Sequence, residues 1–156
     1  MGLRVRRHRF ISACLLASAT FAIGAGCSAQ VANRAPDPQQ EAVRAVVSTY
    51  LHGLKFNDVP SLRSAFWPDA KLLFVNHRDG SLGQLSQEQW YRMFAGSAGK
   101  EEEGDLRIES VDITDDAASV KVIETYPKSI YVDYLNLLRL NGRWIVVNKI
   151  YTSRPR

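Results

Sequence analysis

Hydrophobic residues recur at helical spacing in the stretch that follows residue 37. Asp37 is a suitable N-cap, and Pro38 suits the first helical position, where its missing N–H would have no helical partner in any case. The spacing of three or four positions places six apolar residues on one face of the predicted helix: Val43, Val46, Val47, Tyr50, Leu51 and Leu54. We expect this face to be buried.

Two shorter helices are predicted further along the chain. One begins at Asp58 and ends before Pro68, because the residue ahead of a proline avoids the helical region. The other follows Ser86, which can form a capping box with Gln89. Residues 71–76, between these helices, are predicted to form a strand.

After residue 105 the pattern changes from helical spacing to alternation. Four strands are predicted there, over residues 106–114, 119–126, 130–140 and 143–151. The first contains a bulge near Glu109 or Ser110, because its apolar residues change parity at that point, and such a bulge curves a sheet. Asn141-Gly142 is a strong hairpin signal, since both central residues of a type I′ turn need a positive φ. Helices followed by a long antiparallel meander predict an α+β fold.

The two-residue turn predicts the register of the last two strands. Counting outward from the turn pairs Leu135 with Asn148 and Asp133 with Ile150, on a face that also carries Leu137, Trp144 and Val146. Asp133 and Asn148 are then diagonal neighbours, and a carboxylate in apolar surroundings is costly unless it is paired, so its pKa tends to rise. This pair is the first candidate for a functional site. The alternative is that Asp133 pairs with a neighbouring Lys or Arg and has no chemical role.

The opposite face of the same hairpin is also apolar. In the predicted register it carries Leu138 opposite Ile145, Asn136 opposite Val147, and Tyr134 opposite Lys149. A sheet with one solvated face would show more polar residues on that face. We therefore expect one face to pack on the helices and the other on a second copy, which predicts a homodimer through the sheet.

The first 29 residues have the layout of a bacterial export signal. Basic residues extend to Arg9, a mainly apolar run covers residues 10–23, and small residues follow up to Ala29. The apolar run is about 14 residues, shorter than the roughly 20 that a membrane-spanning helix needs. This length favours a cleaved signal and predicts an exported protein.

Two modes of processing are open. Cleavage after Ala29 would release a soluble periplasmic protein that begins at Gln30. Alternatively, Ala25-Gly26-Cys27 resembles the end of a lipobox, although Gly24 stands where a larger apolar residue is usual. In that case Cys27 would carry a lipid and anchor the protein to the membrane, with residues 30–37 as a tether. We favour lipidation.

Charge and composition narrow the function further. The chain of 156 residues has 20 Lys and Arg against 16 Asp and Glu, but four arginines before residue 10 account for the excess of basic residues. The remainder is neutral and has no basic stripe to contact phosphates, so no nucleic-acid partner is expected. Cys14 and Cys27 both precede the folded body, and its two histidines, His52 and His77, lack the spacing of metal ligands. We expect no metal and no cofactor.

Residues 38–152 form one predicted domain, with residues 153–156 as a tail. The domain resembles the nuclear transport factor 2-like superfamily, and within it the Putative lumazine-binding branch, close to SnoaL-like proteins. The resemblance rests on the capped helices, the segment 65–70 leading into a strand, and the closing segment 141–149. It implies a cone-shaped cystatin-like roll, in which a curved antiparallel sheet wraps around three N-terminal helices. It also implies a pocket at the wide end and frequent dimerisation.

The same superfamily includes ketosteroid isomerase, which provides a test for catalysis. By spacing, Tyr50 matches the catalytic tyrosine of that enzyme, whereas Phe74 stands where its general-base aspartate would be. A phenyl ring cannot accept a proton, so that mechanism requires another base, such as Asp133 or His77.

Three functional hypotheses follow. The first is an exported, non-catalytic protein that binds a small apolar or aromatic ligand or serves as an accessory protein. The second is a cofactor-independent isomerase, dehydratase or cyclase, with Asp133 as general base and Tyr50 as hydrogen-bond donor. The third is a structural module whose interior is filled by side chains. The residues expected to bind a ligand are Tyr50, Phe74, Trp90, Tyr126, Asp133 and Asn148.

Overall fold

The computed structural model describes residues 37–156. Residues 1–36 lie outside the described part of the chain, and with them the predicted export signal, nearly all of the tether and the predicted lipidation site Cys27. Among the described residues, no helix is long and apolar enough to span a membrane.

Three helices lie in the first half of the domain, as the sequence predicts. They are α1 (Pro38–Lys55), α2 (Val59–Ala65) and α3 (Gln87–Tyr91), and a 3₁₀ turn (Arg92–Phe94) follows α3. The Asp37 side chain accepts a hydrogen bond from the Gln39 N–H and so caps α1. Ser86 and Gln89 form the predicted capping box at the start of α3.

Six strands form one sheet in the described residues. The strands are β1 (Phe66–Val75), β2 (Leu82–Leu85), β3 (Asp105–Thr114), β4 (Ala117–Thr125), β5 (Ser129–Leu140) and β6 (Arg143–Pro155), and their order in the sheet is β2-β1-β6-β5-β4-β3. All neighbouring strands are antiparallel except β1 and β6, which pair in parallel. The sheet is therefore mixed rather than purely antiparallel. It is curved and unclosed, and with the helices it confirms the predicted α+β cone.

The core lies between α1 and the concave face of the sheet. Val43, Val47 and Tyr50 of α1 are fully buried, and Leu54 is 6% exposed, so the predicted helix face is confirmed. The inward-facing residues of the central strands complete the core: Val120, Val122, Leu135, Leu137, Trp144 and Val146. The face that carries Trp144 is thus the inner one.

Local irregularities decide where the strands bend. The register of β3 against β4 shifts between Ile108 and Ser110, which confirms the predicted bulge. Asn141 and Gly142 have φ values of 50° and 78°, as a type I′ turn requires. The alternation did not predict β2, and β6 continues through Pro155, so residues 153–155 extend the sheet instead of forming a tail.

A second bulge changes the register predicted for the last hairpin. Leu137 pairs with Val146 as expected, but the register then shifts, so that Asn136 pairs with Asn148 and Leu135 with Lys149. Val147 is the extra residue. Because one extra residue moves every later side chain to the opposite face, Lys149 lies on the inner face and Asn148 on the outer one. The predicted pairs of Leu135 with Asn148 and Asp133 with Ile150 are wrong.

Candidate functional site

A cavity of about 520 Å³ lies between the helices and the sheet. Its volume lies within the range of small-molecule sites. The lining comes from the end of α1, the α3 region, the segment before β3, and strands β1, β4, β5 and β6. Aromatic and polar side chains contribute much of it: Trp90, Phe94, Tyr126, Tyr131, Tyr151, Asn57, Glu102, Glu124 and Lys149.

Three ionisable side chains lie on adjacent strands at the base of the cavity: Glu124 and Lys149 line it, and Asp133 lies behind them. Val122 of β4 pairs with Asp133 of β5, and Leu135 of β5 pairs with Lys149 of β6. Glu124, two residues beyond Val122, and Lys149 are therefore diagonal neighbours of Asp133 on the same face. All three are buried: Asp133 is 0% exposed, Glu124 3% and Lys149 5%. The Lys149 Nζ lies 2.7 Å from the Asp133 Oδ2, which makes a buried ion pair.

Tyr50 reaches this floor from the opposite side of the core. Its hydroxyl contacts Asp133 Oδ2 closely, lies 3.0 Å from Glu124 Oε1, and accepts a hydrogen bond of 2.8 Å from Lys149 Nζ. One helix and three strands thus meet at a single phenol oxygen. The Phe66 and Trp90 rings also pack against Tyr50, so its side chain is held in a fixed position.

Burial dominates the electrostatics of this cluster. Burial raises the pKa of the Glu124 carboxyl well above its usual range, the nearby Asp133 carboxylate raises it further, and Lys149 only partly offsets these effects. Burial also raises the pKa of Tyr50, as do the two carboxyl groups beside it. Burial alone would lower the pKa of Lys149, but Asp133 and Glu124 outweigh it and the net shift is upward. Lys149 is therefore a cation at neutral pH.

Aromatic rings surround the Lys149 ammonium. Its Nζ lies 5.3 Å from the ring centroids of Tyr50 and Trp90 and 4.9 Å from that of Tyr151. Tyr151 contacts Tyr131, at 6.4 Å between centroids, and Tyr131 contacts Tyr126, at 5.9 Å. The cavity therefore has a wall of three tyrosines on one side and Trp90 on another.

The rim of the cavity includes the acidic segment before β3, which is held in place. Lys55 Nζ donates to the carbonyl oxygens of Glu102 and Gly104, at 2.6 and 3.0 Å. Asn57, which adopts a positive φ of 52° just after α1, donates from Nδ2 to the Lys100 carbonyl and to Glu102 Oε1. The segment is thus tied to the end of α1, and Glu102 and Glu103 take fixed places at the cavity.

The predicted site residues fall into three groups. Trp90 and Tyr126 line the cavity. Tyr50 and Asp133 meet as expected, but both are fully buried and lie behind the floor. Asp133 pairs with Lys149, as the alternative interpretation of Asp133 expects. This pairing counts against a role of Asp133 as general base.

Phe74 and Asn148 do not reach the cavity. Phe74 packs on Tyr151, at 5.1 Å between centroids, and over Gly83, where a Cβ atom would clash with the ring. Asn148 lies on the outer face, because of the Val147 bulge, and accepts a hydrogen bond of 2.7 Å from Asn136. The expected Asp133–Asn148 pair is therefore wrong.

Four residues of the site were not expected from the sequence: Glu124, Tyr131, Lys149 and Tyr151. Glu124 had a visible signal, because it follows the inward-facing Val120 and Val122 at the same parity and is a lone acid on an apolar face. Lys149 and Tyr151 had no such signal in the sequence. The predicted register placed Lys149 on the outer face of the sheet. No group of His, Cys, Asp and Glu in residues 37–156 could hold a metal ion.

Comparison with known proteins agrees with the fold. The model of the family described as Putative lumazine-binding matches residues 38–152. The chain has no significant match among curated proteins. Among solved structures, a nuclear transport factor 2-like protein of unknown function from Shewanella baltica OS155 is 27% identical, with a TM-score of 0.70, and the match covers 80% of this chain and 100% of that one.

Two further solved structures support the fold. A nuclear transport factor 2-like protein of unknown function from Silicibacter pomeroyi DSS-3 is 27% identical, with a TM-score of 0.65, over 74% of this chain and 96% of that one. A ketosteroid isomerase-like protein from Erwinia carotovora atroseptica SCRI1043 is 14% identical, with a TM-score of 0.56, over 75% of this chain and 97% of that one; at this identity the likeness concerns the fold alone. On the family match and the shared cone, the chain belongs to the Putative lumazine-binding family of the nuclear transport factor 2-like superfamily.

Proposed function

We propose that this domain binds a small planar aromatic molecule in the cavity between the helices and the sheet. The observation that carries the proposal is the lining: aromatic rings on two sides and a buried Lys149–Glu124 floor around about 520 Å³. A planar ring system can stack on Tyr131 or Trp90. Polar groups on its edge would meet the floor, which is the usual division of roles in a small-molecule site.

Binding is favoured over catalysis by the state of the buried carboxylate. Asp133 is fully buried and ion-paired with Lys149, so a substrate would have to displace the pair to reach it. The enzyme alternative, with Asp133 as base and Tyr50 as donor, requires direct access of both groups to the ligand. The purely structural alternative is disfavoured by the open cavity.

The proposal is tested by calorimetric titration of the protein with lumazine, a planar heterocycle suggested by the family description. Tyr131→Ala removes an aromatic wall, and we expect it to weaken binding by about tenfold or more. Tyr134→Ala is the matched control, because it removes the same side chain from the outer face of the same strand. Equal affinities of the two variants, or no binding to the wild type, would contradict the proposal.

We also propose that the outer face of the sheet binds a second copy of the chain. Large apolar side chains on β5 and β6 remain exposed there, with Tyr134 at 41%, Leu138 at 39% and Ile150 at 45%. Ile145 and Val147 lie half-buried on the same surface. Both faces of this hairpin carry apolar residues, whereas a face permanently in contact with solvent would carry mainly polar ones.

Analytical ultracentrifugation tests the second copy. Leu138→Glu places a charge on the outer face and should convert a dimer to a monomer. Leu82→Glu, on the edge strand β2 where Leu82 is 74% exposed, is the control and should leave the dimer intact. A wild-type protein that sediments as a monomer would refute the proposal.

For the N-terminal segment, we propose export, with lipidation of Cys27 as the favoured form. The support is the pattern of basic, apolar and small residues before residue 30. Mass spectrometry of protein from the bacterial envelope distinguishes the forms: a lipid on Cys27 supports the anchor, and an unmodified start at Gln30 supports a soluble periplasmic protein. A retained Met1 with the intact segment would refute both.

A further inference from the structure

Two polar groups at the floor of the cavity are held side by side by one buried oxygen. The Tyr50 hydroxyl accepts a hydrogen bond of 2.8 Å from Lys149 Nζ and lies 3.0 Å from Glu124 Oε1. Lys149 and Glu124 both line the cavity, whereas Tyr50 is fully buried behind them. The ammonium and this carboxyl oxygen therefore lie no farther apart than the sum of the two distances.

The two groups are nevertheless not paired with each other. Among residues 37–156, Lys149 forms its ion pair with Asp133, and no contact within 4.0 Å joins the Lys149 ammonium to the Glu124 carboxyl group. Neither group uses the other as a hydrogen-bond partner. Both can therefore bond to a third molecule.

Lys149 has one hydrogen that no described residue accepts. An ammonium group has three N–H bonds, and in this part of the chain two of them go to Asp133 Oδ2 and the Tyr50 hydroxyl, which both lie behind the floor. The rings of Trp90 and Tyr151, which line the cavity, lie around the same nitrogen. Ring faces attract the ammonium charge but offer no oxygen or nitrogen acceptor. An acceptor atom of a molecule in the cavity would complete the hydrogen bonding of Lys149.

The single O–H of Tyr50 makes Glu124 an acceptor towards the cavity. Tyr50 donates either to Asp133 Oδ2 or to Glu124 Oε1, and not to both. In the first arrangement Glu124 Oε1 carries a hydrogen and donates it to the Tyr50 oxygen, whereas in the second Glu124 Oε1 accepts. In both arrangements the contact with Tyr50 uses Oε1 together with any hydrogen on it. The other oxygen, Oε2, keeps its lone pairs.

The position of Tyr126 shows which way Glu124 Oε2 faces. The Tyr126 hydroxyl lies 3.4 Å from Oε2, and Tyr126 lines the cavity. Oε1 instead faces the buried Tyr50. A single donor at 3.4 Å occupies at most one of the two lone pairs of Oε2. Glu124 thus presents an acceptor to the cavity next to the donor of Lys149.

We propose that Lys149 and Glu124 form a donor–acceptor pair that binds the amide edge of a planar heterocycle, where a ring N–H stands beside a ring C=O. The carbonyl oxygen of the ligand accepts from the third N–H of Lys149, and its ring N–H donates to Glu124 Oε2. The ligand class is therefore a lactam or an imide, and not a heterocycle whose edge carries acceptors alone. This inference rests on the proposed binding function, whose ligand class it specifies.

The surroundings of the pair suit such a ring. Trp90 and Tyr151 lie beside Lys149, and Tyr126 lies beside Glu124, so a ring whose edge reaches both groups lies among aromatic side chains on which it can stack. Burial raises the pKa of Glu124 well above its usual range, and the charge of Lys149 is matched by Asp133. A floor with little net charge favours a neutral ligand.

Two isomers of dimethyl-lumazine test the amide edge in the wild-type protein. One isomer carries its methyl groups on both nitrogens of the dione ring and has no ring N–H. The other carries them on two carbons of the second ring and keeps the amide edge. We expect calorimetric titration, at a pH at which both isomers are neutral, to show about tenfold or more tighter binding of the carbon-methylated isomer, the effect of one hydrogen bond to a buried group. Equal affinities, or tighter binding of the nitrogen-methylated isomer, would overturn the proposal.

Two variants of Glu124 separate the hydrogen bond from steric exclusion of the methyl groups. Glu124→Met keeps an unbranched side chain of similar length but removes the acceptor, so it should bind the two isomers with nearly equal affinity. Glu124→Gln is the matched control, because its amide can donate to Tyr50 and keeps a carbonyl oxygen for the cavity, and it should retain the preference. An undiminished preference in a folded Glu124→Met protein would overturn the role of Glu124. If Glu124→Met does not fold, the comparison of isomers in the wild type still decides the point.

The Lys149 half of the pair is tested by a distance. Solid-state NMR measures the separation between ¹⁵N-labelled lysine Nζ and the ¹³C-labelled carbonyl carbons of bound lumazine, in a Lys128→Arg protein that lacks the other lysine among the described residues that line the cavity. A hydrogen bond from Lys149 to a carbonyl oxygen requires a separation of about 4 Å or less. A shortest separation beyond about 5 Å would overturn the donor role of Lys149.

Failure of the pair and failure of the binding function give different results. Saturable binding of both isomers with equal affinity would overturn the donor–acceptor pair and leave the binding function in place. Absence of binding of lumazine and of both isomers to the folded wild type would overturn the proposed function for this ligand class, and the pair with it.

Discussion

Removing Lys149 should destabilise the domain more than any exposed charge substitution. Lys149→Met keeps an unbranched apolar side chain of similar length but removes the ammonium that pairs with Asp133. The Asp133 carboxylate would remain fully buried, with Tyr50 as its nearest donor. An unpaired charge in such a position has no solvent to compensate it.

The expected magnitude follows from this burial. Breaking a buried ion pair by removing one partner costs about 3–5 kcal/mol, whereas replacing both partners by neutral groups is often close to neutral. Small domains have total stabilities of about 5–15 kcal/mol, so the loss is a large share. The double variant Asp133→Asn with Lys149→Met should therefore recover most of what the single variant loses.

Urea unfolding of the wild type, both single variants and the double variant measures the coupling directly. Arg107→Met is a control, because Arg107 pairs with Asp105 and Glu109 at the surface, where a loss of less than about 1 kcal/mol is expected. A loss below about 1 kcal/mol for Lys149→Met, or a double variant as unstable as the sum of the singles, would refute the reasoning.

Three further predictions follow from the structure. Asp37→Ala removes the N-cap of α1 and should lower the free energy of unfolding by about 1 kcal/mol in urea unfolding. Asn57→Gly keeps the positive φ but removes both hydrogen bonds to the rim, so hydrogen exchange at Glu102 should become faster while the global stability changes little. Deletion of Val147 removes the bulge but leaves Leu135 paired with Lys149, so Lys149 stays on the inner face and circular dichroism should show a thermal midpoint above that of Lys149→Met.

The local parts of the fold could be predicted from the sequence because short-range physics determines them. The caps at Asp37 and Ser86 and the turn at Asn141-Gly142 depend only on residues within a few positions, and all three are confirmed. The bulge in β3 was visible because apolar residues change parity across it. The parallel pairing of β1 with β6 is a long-range contact and left no comparable signal.

The candidate site was predicted only in part for the same reason. The position of Asp133 on the inner face and its contact with Tyr50 could be predicted from α1 and the hairpin. The bulge at Val147 could not be predicted, because the polarity of Val147 and Asn148 is compatible with either register. The bulge at Val147 decides whether Asn148 or Lys149 lies beside Asp133. The partner of Asp133 is therefore the Lys149 ammonium and not the expected Asn148 amide.

The measurement that tests the central claim most directly is a fluorescence titration of the protein with lumazine. Trp90 lines the cavity, whereas Trp67 is 44% exposed elsewhere and Trp144 is buried on the inner face of β6. A ligand in the cavity should quench the wild-type emission with a saturable curve, and Trp90→Phe should lose that response while Trp67→Phe keeps it. Saturable quenching that persists in a folded Trp90→Phe protein, or its absence from the wild type, would contradict a ligand in this cavity.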